Sequence, residues 1–293
     1  KIKPKTRDLL IMEPILKLLD SHRSDLTGKE KRVCEFIRAQ HNQVFLLKSK
    51  ELAERADVSE ATISRFVRKL GFANYIQFKD ELARQAMENY STSNRLLALS
   101  RQVESGQHVL NRIAEQDIEN LRQLTSMVPT QDFDRAVKAL CTANKIYSLG
   151  LRSCFGLSYH FYFCLRFFLS NVVLLWPATG DEPEKMLTVK SDDVLVAISF
   201  KRYTRETVEM AEAIRPRVKK VIGITDSELS PIAKLADISL IVPTSLPTFL
   251  ESYTSTLCLL NALIGAVALE KKEDALSALD RLEDALQTFH TYL

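Results

Sequence analysis

Five short runs of Val, Ile and Leu recur in the second half of the chain, at 145–149, 172–175, 194–199, 221–224 and 238–242. Amphipathic segments at 133–141, 155–169, 204–215 and 230–236 lie between them. Strands apolar on both faces, alternating with helices, imply a parallel sheet covered on both sides. Few other folds accept this order, so residues 126–293 are expected to form an α/β domain with a five-stranded parallel sheet flanked by helices. Residues 249–270 read as a long, largely apolar helix and 273–289 as an amphipathic closing one. Apolar surface on such helices often becomes a subunit interface. The stretch Phe155 to Trp176 has enough Phe, Leu and Val to suggest a membrane span. However, His160, Arg166 and Asn171 interrupt it and its last part is β-branched. A buried helix followed by a buried strand is therefore expected, with no membrane.

The first ninety residues have a different texture, that of an all-α domain. Leu9–Leu19, Thr27–Gln40 and Tyr75–Met87 show helical periodicity, and Thr27 with Glu30 forms a capping-box pair. Residues 49–71 read as two short helices joined by a tight turn, a helix-turn-helix. In the second helix, Ile63, Phe66, Val67 and Leu70 fall at i, i+3, i+4, i+7, the spacing of one buried stripe. Thr62, Arg65 and Lys69 lie on the other side with Ala61, Ser64 and Arg68 beside them. That free face is small and polar near its start and cationic toward its end. A helix that enters the major groove needs slim groups where base edges are read and positive charge where phosphates pass.

The supporting positions agree. Ser59 sits where an N-cap oxygen is wanted, Gly71 can take a left-handed cap, and Ala53 is small where the two helices cross. Asp57 stands in the turn where such sequences usually place Gly, and Asp tolerates positive φ better than most residues. An ordinary helical hairpin with a solvated Arg/Lys face has similar spacing, but the joint pattern of stripe, caps and charge favours a duplex partner. Ser59, Glu60, Ala61, Thr62 and Ser64 are then expected to face base edges. Arg65, Arg68, Lys69 and Lys50 are expected on phosphates, with Arg65 also able to reach a guanine.

Charge follows the same division. Residues 1–90 carry 18 Lys/Arg against 13 Asp/Glu, whereas the remainder carries 22 against 24. Positive charge is concentrated where a polyanion would bind, yet the excess is modest. Affinity is thus expected to draw on dimerisation and specific contacts, two copies reading a palindromic DNA operator. Residues 91–125 read as a linker, 91–106, followed by a connecting helix, Val109–Leu124. The five cysteines are scattered, without a C-x-x-C pair or a histidine at ligand spacing. They suggest reduced core residues in a cytoplasmic protein. No secretory signal is visible, and the five histidines suggest neither a metal site nor a catalytic triad; no cofactor is expected.

In open α/β sheets, ligands settle at the carboxyl ends of strands, near helix N-termini with free N–H groups. Gly150-Leu151-Arg152-Ser153 follows the first strand, and Ser199-Phe200-Lys201-Arg202-Tyr203-Thr204 follows the third. Arg152, Ser153, Ser199, Lys201, Arg202 and Thr204 supply hydroxyls and cations suited to a phosphate or carboxylate. Helix caps and solvated loop charges explain the same residues equally well, and residue chemistry alone leaves the two readings level.

The stretch Leu52 to Phe78, with Val58-Ser59-Glu60-Ala61-Thr62-Ile63-Ser64-Arg65-Phe66 and Leu70-Gly71-Phe72, resembles RpiR-type bacterial transcriptional regulators. So do the runs Ile224-Thr225-Asp226-Ser227 and Ser230-Pro231-Ile232-Ala233. These regulators join an N-terminal helix-turn-helix domain to a C-terminal sugar isomerase (SIS) domain. The resemblance implies a homodimer or homotetramer whose DNA affinity changes when a small metabolite, often a phosphosugar, binds the SIS domain. It also implies that Glu251 and Ser252 border the effector pocket. Phosphosugar-binding SIS domains usually show Ser-x-Ser-Gly-x-Thr after the third strand. Here Ser199 and Thr204 match, but Lys201 and Arg202 replace the second Ser and the Gly. Near Ser153, the glycine normally two residues earlier is Leu151, with Gly150 one place before it. A lost Gly removes a close backbone approach, and two added cations supply point charges instead. A different anion, such as a sugar acid or keto acid, suits that exchange. The rivals are a sugar-phosphate isomerase with Glu251 as general base, His160 being a core residue, and a SIS domain kept for assembly alone.

Overall fold

The apolar stripes of the first hundred residues close on one another as a helical bundle. The structure, a computed structural model, describes residues 14–40, 44–89, 91–100, 106–176, 180 and 182–292. The bundle comprises α1 (Pro14–Ser21), α2 (Gly28–Gln40), α3 (Ser49–Arg55), α4 (Glu60–Lys69), α5 (Tyr75–Asn89) and α6 (Thr92–Ser100). Leu19, Val33, Ile37, Leu52, Ile63, Phe66, Val67 and Phe78 are buried together. Phe78 is the hub: the ring of Phe66 meets it edge-on at 6.4 Å and that of Phe72 at 5.2 Å. The start of the stripe expected at Leu9–Leu19 lies outside the described residues.

The linker expected at 91–106 is corrected in part, because α6 occupies Thr92–Ser100. Leu96 and Leu97 are about half exposed there. Good helix formers make this turn of backbone without an apolar stripe that periodicity could detect. The chain divides into two compact units, the first running to Ser105 and including Pro247–Leu250, the second comprising Gly106–Leu246 and Glu251–Leu293.

The second unit opens with α7 (Gly106–Met127) and α8 (Thr130–Cys141) and continues as β1 (Ile146–Leu149), α9 (Phe155–Leu165), β2 (Val172–Leu175) and α10 (Glu182–Leu187). It then runs through β3 (Val194–Ile198), α11 (Arg205–Ile214), β4 (Lys220–Thr225), α12 (Pro231–Leu235), β5 (Ile238–Ile241), α13 (Thr254–Glu270) and α14 (Lys272–Thr288). The six-residue α10 is too short to leave a periodic signal. All strand pairs are parallel and the order is β2-β1-β3-β4-β5. Side chains of a strand alternate between faces, and here both faces are dry. Ile146, Val194, Val196, Ile222 and Ile224 pack with residues of α8, α9 and α13. Tyr147, Leu149, Leu195, Ala197 and Val221 pack with residues of α11 and α12.

Two details fix the two ends of the strands in this sheet. Leu149 is in register with Leu175 on one side and Ala197 on the other, so the loops after β1 and β3 leave at one level. At the opposite edge the buried carboxylate of Asp193 accepts from the Asn144 amide (2.8 Å) and from the backbone N–H of Lys145 (2.9 Å) and Lys190 (2.7 Å), which locks the starts of β1 and β3 together. All five cysteines are free; Cys34 and Cys154 are buried, Cys141 and Cys164 half-buried. Cys258 is exposed, which corrects its reading as a core residue: it lies on the outer side of α13. No single helix among the described residues is long and apolar enough to cross a membrane.

Candidate nucleic-acid interface and effector site

The helix-turn-helix is built as its sequence required. Ser59 caps α4 by accepting the backbone N–H of Thr62 (3.3 Å). Asp57 adopts φ +51° in the turn and Gly71 φ +92° after the last helical residue, the two left-handed positions the motif needs. The strain at Asp57 is held by α2: the Arg32 guanidinium donates to the Asp57 carbonyl at 2.6 Å and lies 3.5 Å from its carboxylate.

The exposed face of α4 departs from expectation at Thr62 alone. Ala61, Ser64, Arg65, Arg68 and Lys69 are exposed, with Ser59 and Glu60 before them and Lys50 exposed on α3. Thr62, expected at a base edge, is 3% exposed, its hydroxyl 3.0 Å from that of Ser59. That is a correction: its side chain serves the cap and the core. Lys69, expected on a phosphate, is exposed and already paired. Its ammonium donates to the Glu30 carboxylate at 2.9 Å and to the Asp25 carbonyl at 2.6 Å. Both residues lie on the border of the free stripe: Thr62 turns inward, while Lys69 stays exposed with its ammonium held by α2 and the segment before it.

Glu30 does two jobs. Its carboxylate accepts the backbone N–H of Thr27 at 2.8 Å, completing the expected capping box, and also anchors Lys69. Burial pushes the carboxyl up, but the Thr27 N–H, the Lys69 ammonium and the Thr27 hydroxyl outweigh it and hold it below the ordinary carboxylate range. A depressed folded value gives stability that is present above the ordinary glutamate value of about 4.3 and is lost as pH falls through the lower folded one. The gap in urea midpoint between wild type and Glu30→Gln should therefore be widest near neutrality and close below about pH 4. A gap that stays constant with pH would contradict the anchoring role. Lys69→Met should lower stability yet leave the salt dependence of duplex binding unchanged, whereas Arg68→Ala should reduce its slope by about one phosphate contact. The measurement is log Kd against log salt concentration.

In the sheet, connections run one way from β1 to β2 and the other way from β3 to β4, so the order reverses between β1 and β3. Crevices at such switch points collect ligands. The two loops singled out in the sequence both leave there. Arg152 (φ +55°) and Arg202 (φ +64°) each hold a left-handed backbone. Arg202 thus keeps the conformation expected of the Gly it replaces, at a cost of about 1–2 kcal/mol. Gly150 is needed for close approach: a Cβ there would stand 2.8 Å from the Cys154 carbonyl oxygen and 3.2 Å from the Ser158 Cβ. Ser158 in turn donates to the Gly150 carbonyl at 3.1 Å.

Ser153 and Arg152 are exposed. Ser199 is 2% exposed and extends the ladder, its N–H donating to the Ile224 carbonyl at 3.2 Å. Lys201 lies 3.8 Å from the carboxylate of Asp226, whose side chain is 3% exposed. Burial drives the Asp226 carboxyl upward, and the Lys201 ammonium and Tyr203 hydroxyl only partly offset this. Lys201 therefore faces a buried carboxyl of the protein itself. Thr204 holds the N-cap position of α11 without a side-chain cap bond. Thr207, in the first turn, has its hydroxyl buried with no hydrogen-bond partner. Glu251 is half-buried. Ser252 is corrected: it is 3% exposed and its hydroxyl is bonded to Asp117 of α7, so it braces the scaffold. His160 is only half-buried and pairs with Asn261 at 2.8 Å, a surface link between α9 and α13 in place of the expected core role.

Two side chains went unnoticed in the sequence. Tyr253 donates to the Ser153 hydroxyl at 2.8 Å and sets its ring 5.5 Å from that of Phe200, so it touches both loops. Burial pushes its phenol up to about 12. Asp226 is the other; it stood in a run that carried the resemblance, and no local pattern announced its pairing with Lys201.

Two family models match, the helix-turn-helix domain of the rpiR family over residues 13–89 and the SIS domain over residues 139–266. The chain carries an rpiR-family helix-turn-helix domain and a SIS domain. It is a helix-turn-helix transcriptional regulator with a SIS domain, and the Pseudomonas aeruginosa HTH-type transcriptional regulator HexR is 26% identical to it over 280 residues, 94% of this chain and 96% of that one. Two solved structures share the fold. The sugar isomerase domain of an RpiR transcription factor from Sphaerobacter thermophilus is 23% identical, with TM-score 0.57 over 60% of this chain and 98% of that one. Vibrio vulnificus NanR, complexed with ManNAc-6P, is 18% identical, with TM-score 0.62 over 94% of this chain and 98% of that one.

Proposed function

We propose that this regulator reads a palindromic operator with Ser59, Glu60, Ala61, Ser64, Arg65 and Arg68 of two α4 helices, supported by Lys50, and that a small anionic metabolite bound at the β1/β3 switch point sets its affinity. The metabolite is a phosphosugar, a sugar acid or a keto acid. The observation that carries the effector half is the start of α11. Its first N–H groups have no partner within the helix, Thr204 does not cap them, and the Thr207 hydroxyl is buried without a bond. An anion completes that set, and Arg152, Lys201 and Arg202 supply attraction around it. NanR, which shares the fold, is complexed with a ligand of this class. The effector must bind one conformation better than the other to shift DNA affinity.

Thermal-shift screening of the full chain against phosphosugars, sugar acids and keto acids tests this. One class should raise the melting temperature by mass action, and that ligand should alter affinity for a duplex recovered by genome-wide mapping of bound DNA. No stabilising anion would leave a SIS domain kept for assembly. Turnover of aldose or ketose phosphates that disappears in Glu251→Gln would replace the regulator reading of this site with an enzymatic one.

A further inference from the structure

The segment Ser252-Tyr253-Thr254 is tied at three successive residues. The Ser252 hydroxyl is bonded to one carboxylate oxygen of Asp117, and the Thr254 hydroxyl donates to the other at 2.7 Å. Between them, Tyr253 reaches the opposite way, donating to Ser153 on the loop after β1 and packing on Phe200 on the loop after β3. Asp117 belongs to α7, the helix that follows the DNA-binding domain in the chain. One turn further along, buried Asn120 donates to the Ser245 carbonyl at 2.7 Å, so α7 holds this return segment at two levels.

We propose that Tyr253 senses occupancy of the effector site and that Asp117 is the positioning residue through which it acts on α7. This rests on the effector reading given above. An anion that engages the Ser153 hydroxyl competes with the Tyr253 phenol for it. Displacement of the phenol rotates residue 253, and both of its neighbours are fixed to a single carboxylate. The segment cannot turn while both hydroxyls stay on Asp117, so either one bond breaks or α7 moves with it. These are two discrete arrangements of one element, which is what a ligand needs in order to shift a population.

The test uses the full chain and a duplex that the wild-type protein selects from a random pool. Tyr253→Phe keeps the ring on Phe200 and deletes the phenol's bonds to Ser153 and to the neighbouring Cys154 thiol; Ser153→Ala deletes the first of these from its other end and leaves the second. Each should change the ligand-free Kd for the duplex about threefold or more, in the same direction, and speed amide exchange in α7 around Asp117. Asp117→Asn should do likewise, and its combination with Tyr253→Phe should fall short of the summed single effects. Wild-type Kd and wild-type α7 exchange in Tyr253→Phe would overturn the proposal, as would strict additivity with Asp117→Asn. If the wild type selects no duplex, the regulator reading fails on its own, and α7 exchange alone decides the relay: faster exchange in Tyr253→Phe and Ser153→Ala supports it, unchanged exchange refutes it.

Discussion

Phe66→Ala should abolish duplex binding by unfolding the helical unit without touching its outer face. Phe66 has no exposed surface and projects from α4 opposite Ser64, Arg65 and Arg68. Its ring edge meets Phe78, which also receives Phe72 and Tyr75. Truncating a buried Phe to Ala costs about 3–5 kcal/mol. A small domain is stable by only about 5–15 kcal/mol, so a large share of that margin goes at one position. Urea denaturation followed by circular dichroism should show an early transition assigned to this unit, and duplex binding should fall with it. A variant that keeps its denaturation midpoint would mean that the stripe on α4 does not face the core in the way described.

Gly150→Ala should disable the effector half while leaving DNA binding intact in the absence of ligand. The added methyl meets a backbone carbonyl at 2.8 Å, and that carbonyl belongs to the turn opening α9. Neither neighbour gives way cheaply, because Ser158 is itself buried and its hydroxyl donates to the Gly150 and Phe155 carbonyls. Overpacking of this kind costs about 1–3 kcal/mol, and the part free to move is the loop carrying Arg152 and Ser153. Thermal-shift titration with whichever anion stabilises the wild type should then show no response. A wild-type shift in Gly150→Ala would mean that the loop after β1 is not part of the site.

These residues also show what periodicity reveals and what it conceals. The sheet was legible because its strands are dry on both faces, so continuous Val, Ile and Leu runs had few alternatives. The phase of α4 was legible: Ile63, Phe66, Val67 and Leu70 marked the buried stripe. Thr62 and Lys69, at its border, were settled by partners that spacing does not encode. Lys69 depends on Glu30, 39 residues earlier in the chain. Similarly, the family resemblance set Ser252 at the pocket border, and nothing local points to Asp117, 135 residues away. The short α6 and α10 escaped for a different reason: α10 spans six residues, and α6 leaves Leu96 and Leu97 about half exposed. At Arg202 the residue departed from the family pattern while the backbone kept it, which only a dihedral angle can show.

Whether the outward side of α4 lies against DNA is decided by Arg65, which is exposed at the centre of the stripe formed with Ala61, Ser64 and Arg68. The measurement is the Kd of the full-length protein for its mapped genomic duplex, at physiological salt, with and without Arg65→Ala. A guanidinium on a guanine or a phosphate in this position should make the variant bind about tenfold more weakly or worse, with the melting temperature unchanged. Binding within about twofold of wild type would show that some other surface meets the duplex.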